Sequence, residues 1–434
     1  MKLKSIFGGA ALALAFIASA HADVTVTITG ASAFRSATLA SIKARYLAAT
    51  VKSFQFAHDQ ATGSLTGSTR AIFKGNFPGV AGTTTIKCCF TGSVEGIRAL
   101  VPVTDPLPPT YLQDSDLVTA ASAVGGETSA VTSLGLTESS DIAFSDVKAS
   151  STPFGAYALQ PAAPSAGVIV FTMIGSEGCP ITNISAQQFR ALLSKGFQPL
   201  RLFTGVAADT QKVFVTGRND GSGTRTTYLA ETGFGITSTV KQYVANQSTG
   251  TTLSTIQLVP AGGVNVPALP GQNVKNKSTV WGQDVDGNGG YDSGSTLKSD
   301  LGKTGTSVTV LDEFGDDAFG TPQNLFLVTW LSLSDCVAAR DAGAVVLGYN
   351  GVRLTDFAVA SSGSILSAAD KAKITEGAYT AWGYENMYRK NDITTGDKVT
   401  VYDAIKNNLV LGTAGIALTD MHIGREVDGG VVAP

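Results

Sequence analysis

The stretch with the densest chemistry is Gly217-Arg218-Asn219-Asp220-Gly221-Ser222-Gly223-Thr224-Arg225. The apolar run Val213-Phe214-Val215 precedes it, and a helix-like segment from Thr226 to Glu231 follows, ending at Thr232-Gly233. The pattern predicts a strand, a Gly/Ser/Thr loop and the first turn of a helix. There, unpaired backbone N–H groups and the positive end of the helix dipole favour an anion. Arg218 adds a planar, permanently charged fork suited to phosphate or carboxylate oxygens. Ser222 and Thr224 add hydroxyl donors, and Gly223 lets the backbone approach a ligand. The competing reading is a plain surface turn, since Asp-Gly and Ser-Gly mark turns anywhere.

The elements that must position such a loop recur along the chain. Val24-Thr25-Val26-Thr27-Ile28 alternates like a strand and ends in Thr29-Gly30-Ala31-Ser32-Ala33-Phe34, after which Phe34, Thr38, Ile42 and Tyr46 repeat at helical spacing. Thr83–Phe90 is strand-like, and Gly92-Ser93 leads into a helix-like Val94–Leu100. Asp141-Ile142-Ala143-Phe144-Ser145-Asp146 reads as a short buried strand closed by a carboxylate, and Gly167–Phe171 as another buried strand. Ser185-Ala186-Gln187-Gln188 is a capping-box signature, with Phe189, Leu192 and Leu193 on the apolar face and Gly196 as the stop. Phe326–Leu333 and Ala344–Tyr349 look like core segments flanking a helix over Asp335–Ala342, and Val401, Tyr402, Ile405 and Leu409 mark a last amphipathic helix. This alternation predicts an α/β fold with mixed, mostly parallel sheets flanked by helices, whose ligands sit beyond the carboxyl ends of strands. Residues 50–82, 103–138 and 260–300 are rich in Gly, Ser, Thr or Pro with little periodicity and read as insertions.

At 434 residues with 43% hydrophobic and 15% charged residues, the chain has room for two domains with buried cores. Lys2 and Lys4, the apolar run Ile6–Ala18 and Ala20-His21-Ala22 read as a secretory leader over residues 1–22, cleaved before Asp23. A periplasmic or extracellular location is therefore expected, with no membrane insertion after cleavage. The formal net charge of −3 and the lack of Lys/Arg blocks argue against nucleic acid or an anionic membrane as partner. Cys88, Cys89, Cys179 and Cys336 permit two disulfides in three connectivities, with bridges from the adjacent pair to Cys179 and Cys336 the plausible ones. His58 and His422 read as surface or structural residues. With no histidine-based triad, no Gly-x-Ser-x-Gly elbow and no dense ligand set, an enzyme is not expected.

The order and local sequence of Thr29–Phe34, Gly92-Ser93, Asp141–Asp146 and Arg218–Thr224 resemble the phosphate-binding proteins of ABC uptake systems, a class of periplasmic two-lobed binding proteins. Gly167–Phe171 with Ile184–Leu193, Leu347-Gly348-Tyr349 and Ala378–Glu385 add weaker echoes. The resemblance implies a type II binding-protein fold with a ligand cleft between lobes. Lobe I would run over residues 23–165, lobe II over 166–355, and 356–434 would return to lobe I. It further implies that Arg218 pairs with phosphate oxygens and leans on Asp220. Ser222 and Thr224 would donate hydroxyls and Gly223 its N–H. Ser93, Ser32 and the backbone near Phe34 would donate as well. Asp146 would accept a proton from the ligand, which admits a protonated phosphate and repels sulfate; its alternative role is a strand-end cap or structural ion pair. No cofactor is required by this reading, and the implied partner is an ABC transporter membrane complex. The chain departs from the family at Ala33-Phe34-Arg35, where a hydroxyl is missing; Arg35 either faces the anion or is a solvated helix residue, the latter being expected. Glu95 would be unfavourable beside an anion unless it points away.

Asp284, Asp286, Asn288 and Asp292 have the spacing of oxygen-ligand Ca²⁺ loops, although Ser295 stands where a bidentate Glu would close one. An Asp/Asn/Gly-rich surface turn is the alternative. Gly294-Ser295-Thr296 beyond it is either a fourth anion-facing turn or a helix cap. Three functions follow: a solute-binding protein for an oxyanion, most simply inorganic phosphate; a secreted or cell-surface structural or adhesion protein on the same fold, stabilised by calcium; and, least supported, a phosphate-ester hydrolase.

Overall fold

The computed structural model describes residues 22–104, 108–259, 274–275, 289–354, 365–411 and 415–434. The leader reading and residues Asp284, Asp286 and Asn288 of the cation reading lie outside these. Among the described residues, no helix is long and apolar enough to cross a membrane.

One 13-stranded mixed sheet organises the chain. Its main strands are β1 (Val24–Gly30), β2 (Phe54–His58), β3 (Arg70–Asn76), β4 (Thr83–Cys89), β5 (Gly126–Thr128), β6 (Ile142–Ser145), β7 (Ser165–Gly175), β8 (Phe197–Pro199), β9 (Lys212–Val215), β10 (Leu325–Ser332) and β11 (Trp382–Arg389). They lie in the order β8-β9-β10-β7-β11-β6-β1-β4-β3-β2-β5. The 11-residue β7 ties the two halves together: its first half pairs with β11 and its second half with β10. Two large cores flank this seam. One gathers Val26, Ile28, Phe34, Tyr46, Phe54, Phe73 and Phe144; the other gathers Phe171, Phe189, Phe214, Trp330 and Trp382. The fold is thus mixed α/β, with helices packed on a twisted sheet.

The parallel arrangement holds where strand–turn–helix units meet, in β4/β1, β1/β6 and β9/β10. The edge pair β2/β5 is parallel as well; the other pairs are antiparallel, β2, β3 and β4 following one another as hairpins and β11 running against both β6 and β7. The reading of residues 50–82 as an insertion is corrected: Phe54, Phe56, Ile72 and Phe73 are fully buried in β2 and β3 of the main sheet. Their pattern is masked because Ala71-Ile72-Phe73 is covered on both faces and does not alternate. Helices α1 (Arg35–Leu47), α2 (Ser93–Leu100) and α3 (Ala186–Lys195) follow as read. Ser185 and Gln188 make the reciprocal capping box, and Gly196 stops α3 at φ +86°.

The four cysteines are free and buried, with Cys88 in one core and Cys179 and Cys336 in the other, so the expected bridges are not formed. His58 is buried, with Nε2 3.0 Å from Glu127 Oε1, while the exposed His422 lies 2.6 Å from Glu376.

Candidate oxyanion site

Strands β4, β1 and β6 are parallel neighbours, so their carboxyl ends present three turns side by side. The loop after β9 joins them through α4 (Gly223–Glu231). The backbone is packed too tightly there for side chains. A Cβ on Gly92, at φ +124°, would run into the Gly221 carbonyl, and the Val94 N–H donates to that same oxygen at 3.1 Å. A Cβ on Gly223 would strike both Asp146 and Ser93. Glycine at 223 is therefore what brings the first turn of α4 onto the end of β6.

Asp146, only 1% exposed, accepts a hydrogen bond from the Ser93 hydroxyl, and its N–H donates to Ser93 Oγ at 3.3 Å. Burial raises its carboxyl to about 6 against the pull of Ser93 and Arg218, with Asp428 adding to the rise. A group near that value exchanges a proton close to neutral pH.

Arg218 is 3% exposed and held from behind. Its Nε donates to the Tyr291 carbonyl at 3.0 Å, and its Nη2 to the Asp292 carbonyl at 2.7 Å and to Ser32 Oγ at 3.4 Å. Burial pulls the guanidinium below its ordinary value, while Asp335, Asp146 and Asp292 support its charge and Arg35 opposes it. Asp335 is the first of these supporting charges, and Asp220 lies buried in the same loop as Arg218. Asn219 Nδ2 donates to Asp292 Oδ1 at 2.8 Å, and Asn219 Oδ1 accepts from the Gly221 N–H at 3.1 Å, fixing the loop. Asp292 therefore serves the arginine loop.

Ser222 is the N-cap of α4, accepting the Arg225 N–H at 3.4 Å, and Thr224 is buried in its first turn. Phe34 is the residue before α1 and stacks on Phe144 with ring centroids 5.9 Å apart. Glu95 does not turn away from the loops: its carboxylate packs against Gly221 of the arginine loop while it pairs with Arg98, both side chains being buried. Ser293 caps α5 (Gly294–Leu301) by accepting the Thr296 N–H at 3.2 Å, and Gly294 packs against the Asp335 carboxylate. The 294–296 turn is a cap facing a carboxylate.

Sequence reasoning misjudged one contributor and missed two. Arg35 is a correction: it is half-buried, its Nε is enclosed and, among the described residues, without a hydrogen-bond partner, and Asp335 is the largest charge acting on it. Asp335 arrives from α6 (Leu333–Asp341), far along the chain, where nothing local marks it. Arg225, also buried, donates to the Arg218 carbonyl at 3.2 Å and braces the loop; its place in the motif was the only signal. Among the described residues, no group of three or more metal-ligating side chains gathers.

No family model and no curated protein matches the chain. Solved structures do. A putative phosphate ABC transporter substrate-binding protein with bound phosphate from Clostridium perfringens aligns over 91% of this chain and 100% of its own, at 13% identity and TM-score 0.43. An ABC-type phosphate transport receptor from Vibrio cholerae aligns over 88% and 94%, at 11% identity and TM-score 0.36. A phosphate-binding protein from Stenotrophomonas maltophilia aligns over 92% and 91%, at 13% identity and TM-score 0.34. All three are named for phosphate, and two of them for ABC transport.

Proposed function

We propose that the chain is an extracytoplasmic solute-binding protein that captures a protonated oxyanion, inorganic phosphate being the simplest, for ABC-type uptake or sensing. One observation carries the reading. Ser32, Ser93, Asp146, Arg218 and Gly223, drawn from four separated segments, come together where the ends of the neighbouring strands β4, β1 and β6 meet the loop after β9. The guanidinium supplies the charge, the hydroxyls and the first turn of α4 supply donors, and Asp146 supplies a carboxylate acceptor. An acceptor has a use only toward a ligand oxygen that bears a proton. The site binds without needing a reaction.

Calorimetry on the leaderless protein with phosphate, arsenate and sulfate tests this. Phosphate and arsenate heats that disappear in Arg218→Ala are the expected result. Absence of heat with every oxyanion overturns the reading.

A second reading, a cell-surface structural or adhesion protein, is favoured by the apolar side chains that residues 118–136 leave in solvent. Val118, Val124, Leu134 and Leu136 are all more than half exposed. Self-association of a protein that binds no oxyanion is its expected signature.

A further inference from the structure

The ladder between β6 and β11 pairs Asn386 with Ser145, Met387 with Phe144 and Tyr388 with Ala143. Continued by one residue, it sets Glu385 opposite Asp146. Opposed residues of an antiparallel pair share a face, with Cβ atoms roughly 4.5–5.5 Å apart. On its other side Glu385 pairs with Gly167 of β7, which has no side chain to offer. Two residues back on the same face, a Cβ on Gly383 would lie 2.8 Å from the Asp146 carbonyl and 3.9 Å from Thr227 Oγ1 of α4. This face of β11 therefore runs beneath Asp146 and the helix whose first turn closes the oxyanion site.

Glu385 is 0% exposed, and among the described residues neither of its carboxyl oxygens finds a hydrogen-bond partner; nor does Thr227 Oγ1. An ionised carboxylate in such a place is strongly disfavoured. We propose that Glu385 is a second carboxyl of the oxyanion site, paired with Asp146 across the sheet, and that the pair shares one proton, so that one negative charge rather than two faces the anion. The proposal rests on the oxyanion reading above.

The electrostatics agree with the placement. Burial first, and then the charge of Asp146, push the Glu385 carboxyl well above the usual carboxylate range. Asp146 is the charged group that acts on Glu385; Gly167 and Thr227, from the other two packed elements, do not titrate. Asp146 in turn feels Arg218 and Asp428. Two buried carboxyls at such a separation do not both ionise, so their protons leave in two well-separated steps that belong to the pair. With one proton held on Glu385, Asp146 stays an acceptor for the anion's O–H. Loss of that last proton sets a second negative charge against the anion and weakens binding. Gain of a second proton turns Asp146 into a donor, which suits an anion without a proton.

The first test needs no ligand. Infrared titration of the carboxyl C=O band in the free protein is expected to show a protonated buried carboxyl persisting above neutral pH. Glu385→Gln should abolish it, and Asp146→Asn should move it to lower pH by removing the opposing charge. No such band at neutral pH, or an unchanged band in Glu385→Gln, overturns the pairing even if the protein binds no oxyanion. The second test is phosphate affinity from mildly acid to mildly alkaline pH. Wild type should weaken toward the alkaline end. Glu385→Gln should lose that weakening and bind on the order of tenfold tighter there, since the linked proton changes affinity about tenfold for each pH step above the titration. A uniform change at every pH would mark Glu385 as merely structural. Failure of wild type to bind phosphate, with the infrared result intact, would fault the oxyanion reading and leave the pair standing.

Discussion

The two flanks of the oxyanion site are built in opposite ways. On one flank Arg218 is a buried charge whose Nε and Nη2 are fixed by the carbonyls of Tyr291 and Asp292, with Asn219 bonded to Asp292. On the other flank Asp146 has the Ser93 hydroxyl, while Glu385 beside it has no hydrogen-bond partner among the described residues. A satisfied charge stays the same across the accessible pH range and sets position. An under-satisfied carboxyl changes its proton with small changes of surroundings. On the proposed reading, the first flank is a scaffold for negative charge, and the second is where the proton count of the ligand is read.

The largest break of this contrast is Arg218→Ala. It leaves two carbonyls without their donor and the charge of Asp146 unopposed, so phosphate binding should be lost. Denaturant unfolding should show a loss of about 3–5 kcal/mol, the usual cost of breaking a buried charge cluster. Gly223→Ala comes next. Its methyl would be driven into Asp146 and Ser93, so the first turn of α4 must lift, at about 1–3 kcal/mol by the same measurement and with weakened phosphate binding.

Asp146→Asn acts in the opposite sense. The folded carboxyl is raised from the usual 3.8 to about 6, so the folded state holds a proton that the unfolded state has released across that window. Its contribution is fully present below 3.8 and is lost as pH rises through about 6. Wild type should therefore gain about 2–3 kcal/mol on acidification across the window, relative to Asp146→Asn followed by pH-resolved unfolding. The smallest effect belongs to Arg35→Ala. It removes a half-buried guanidinium that the scaffold does not hold, so calorimetry should find phosphate affinity down a few-fold and unfolding little changed.

The same contrast explains what the sequence discloses. Turn chemistry is local, so Gly30, Gly92-Ser93 and Gly221-Ser222-Gly223 announce their turns, and Ser185 with Gln188 announces its helix start. The scaffold's partners are not local. Tyr291 and Asp335 reach Arg218 only through tertiary packing, and the charge of Asp146 acts on Glu385 only because the register of two strands distant in sequence brings them near. Arg35 was misjudged because the face presented by the opening turn of α1 is set by the sheet end beneath it, which periodicity does not reveal. β2 and β3 were missed because Gly/Ser/Thr-rich turns surround them and β3 is covered on both faces. Free thiols replaced the expected bridges because the two halves of the chain bury their cysteines in separate cores.

The central claim is that Asp146 selects an oxyanion by its proton. Competition between phosphate and sulfate, measured by calorimetry at neutral pH on wild type and Asp146→Asn, tests it most directly. Wild type should take phosphate and refuse sulfate, and Asp146→Asn, which offers a donor where an acceptor stood, should narrow the preference by on the order of tenfold or more. Equal affinity for the two anions in wild type, or a preference unchanged by the substitution, would contradict the account.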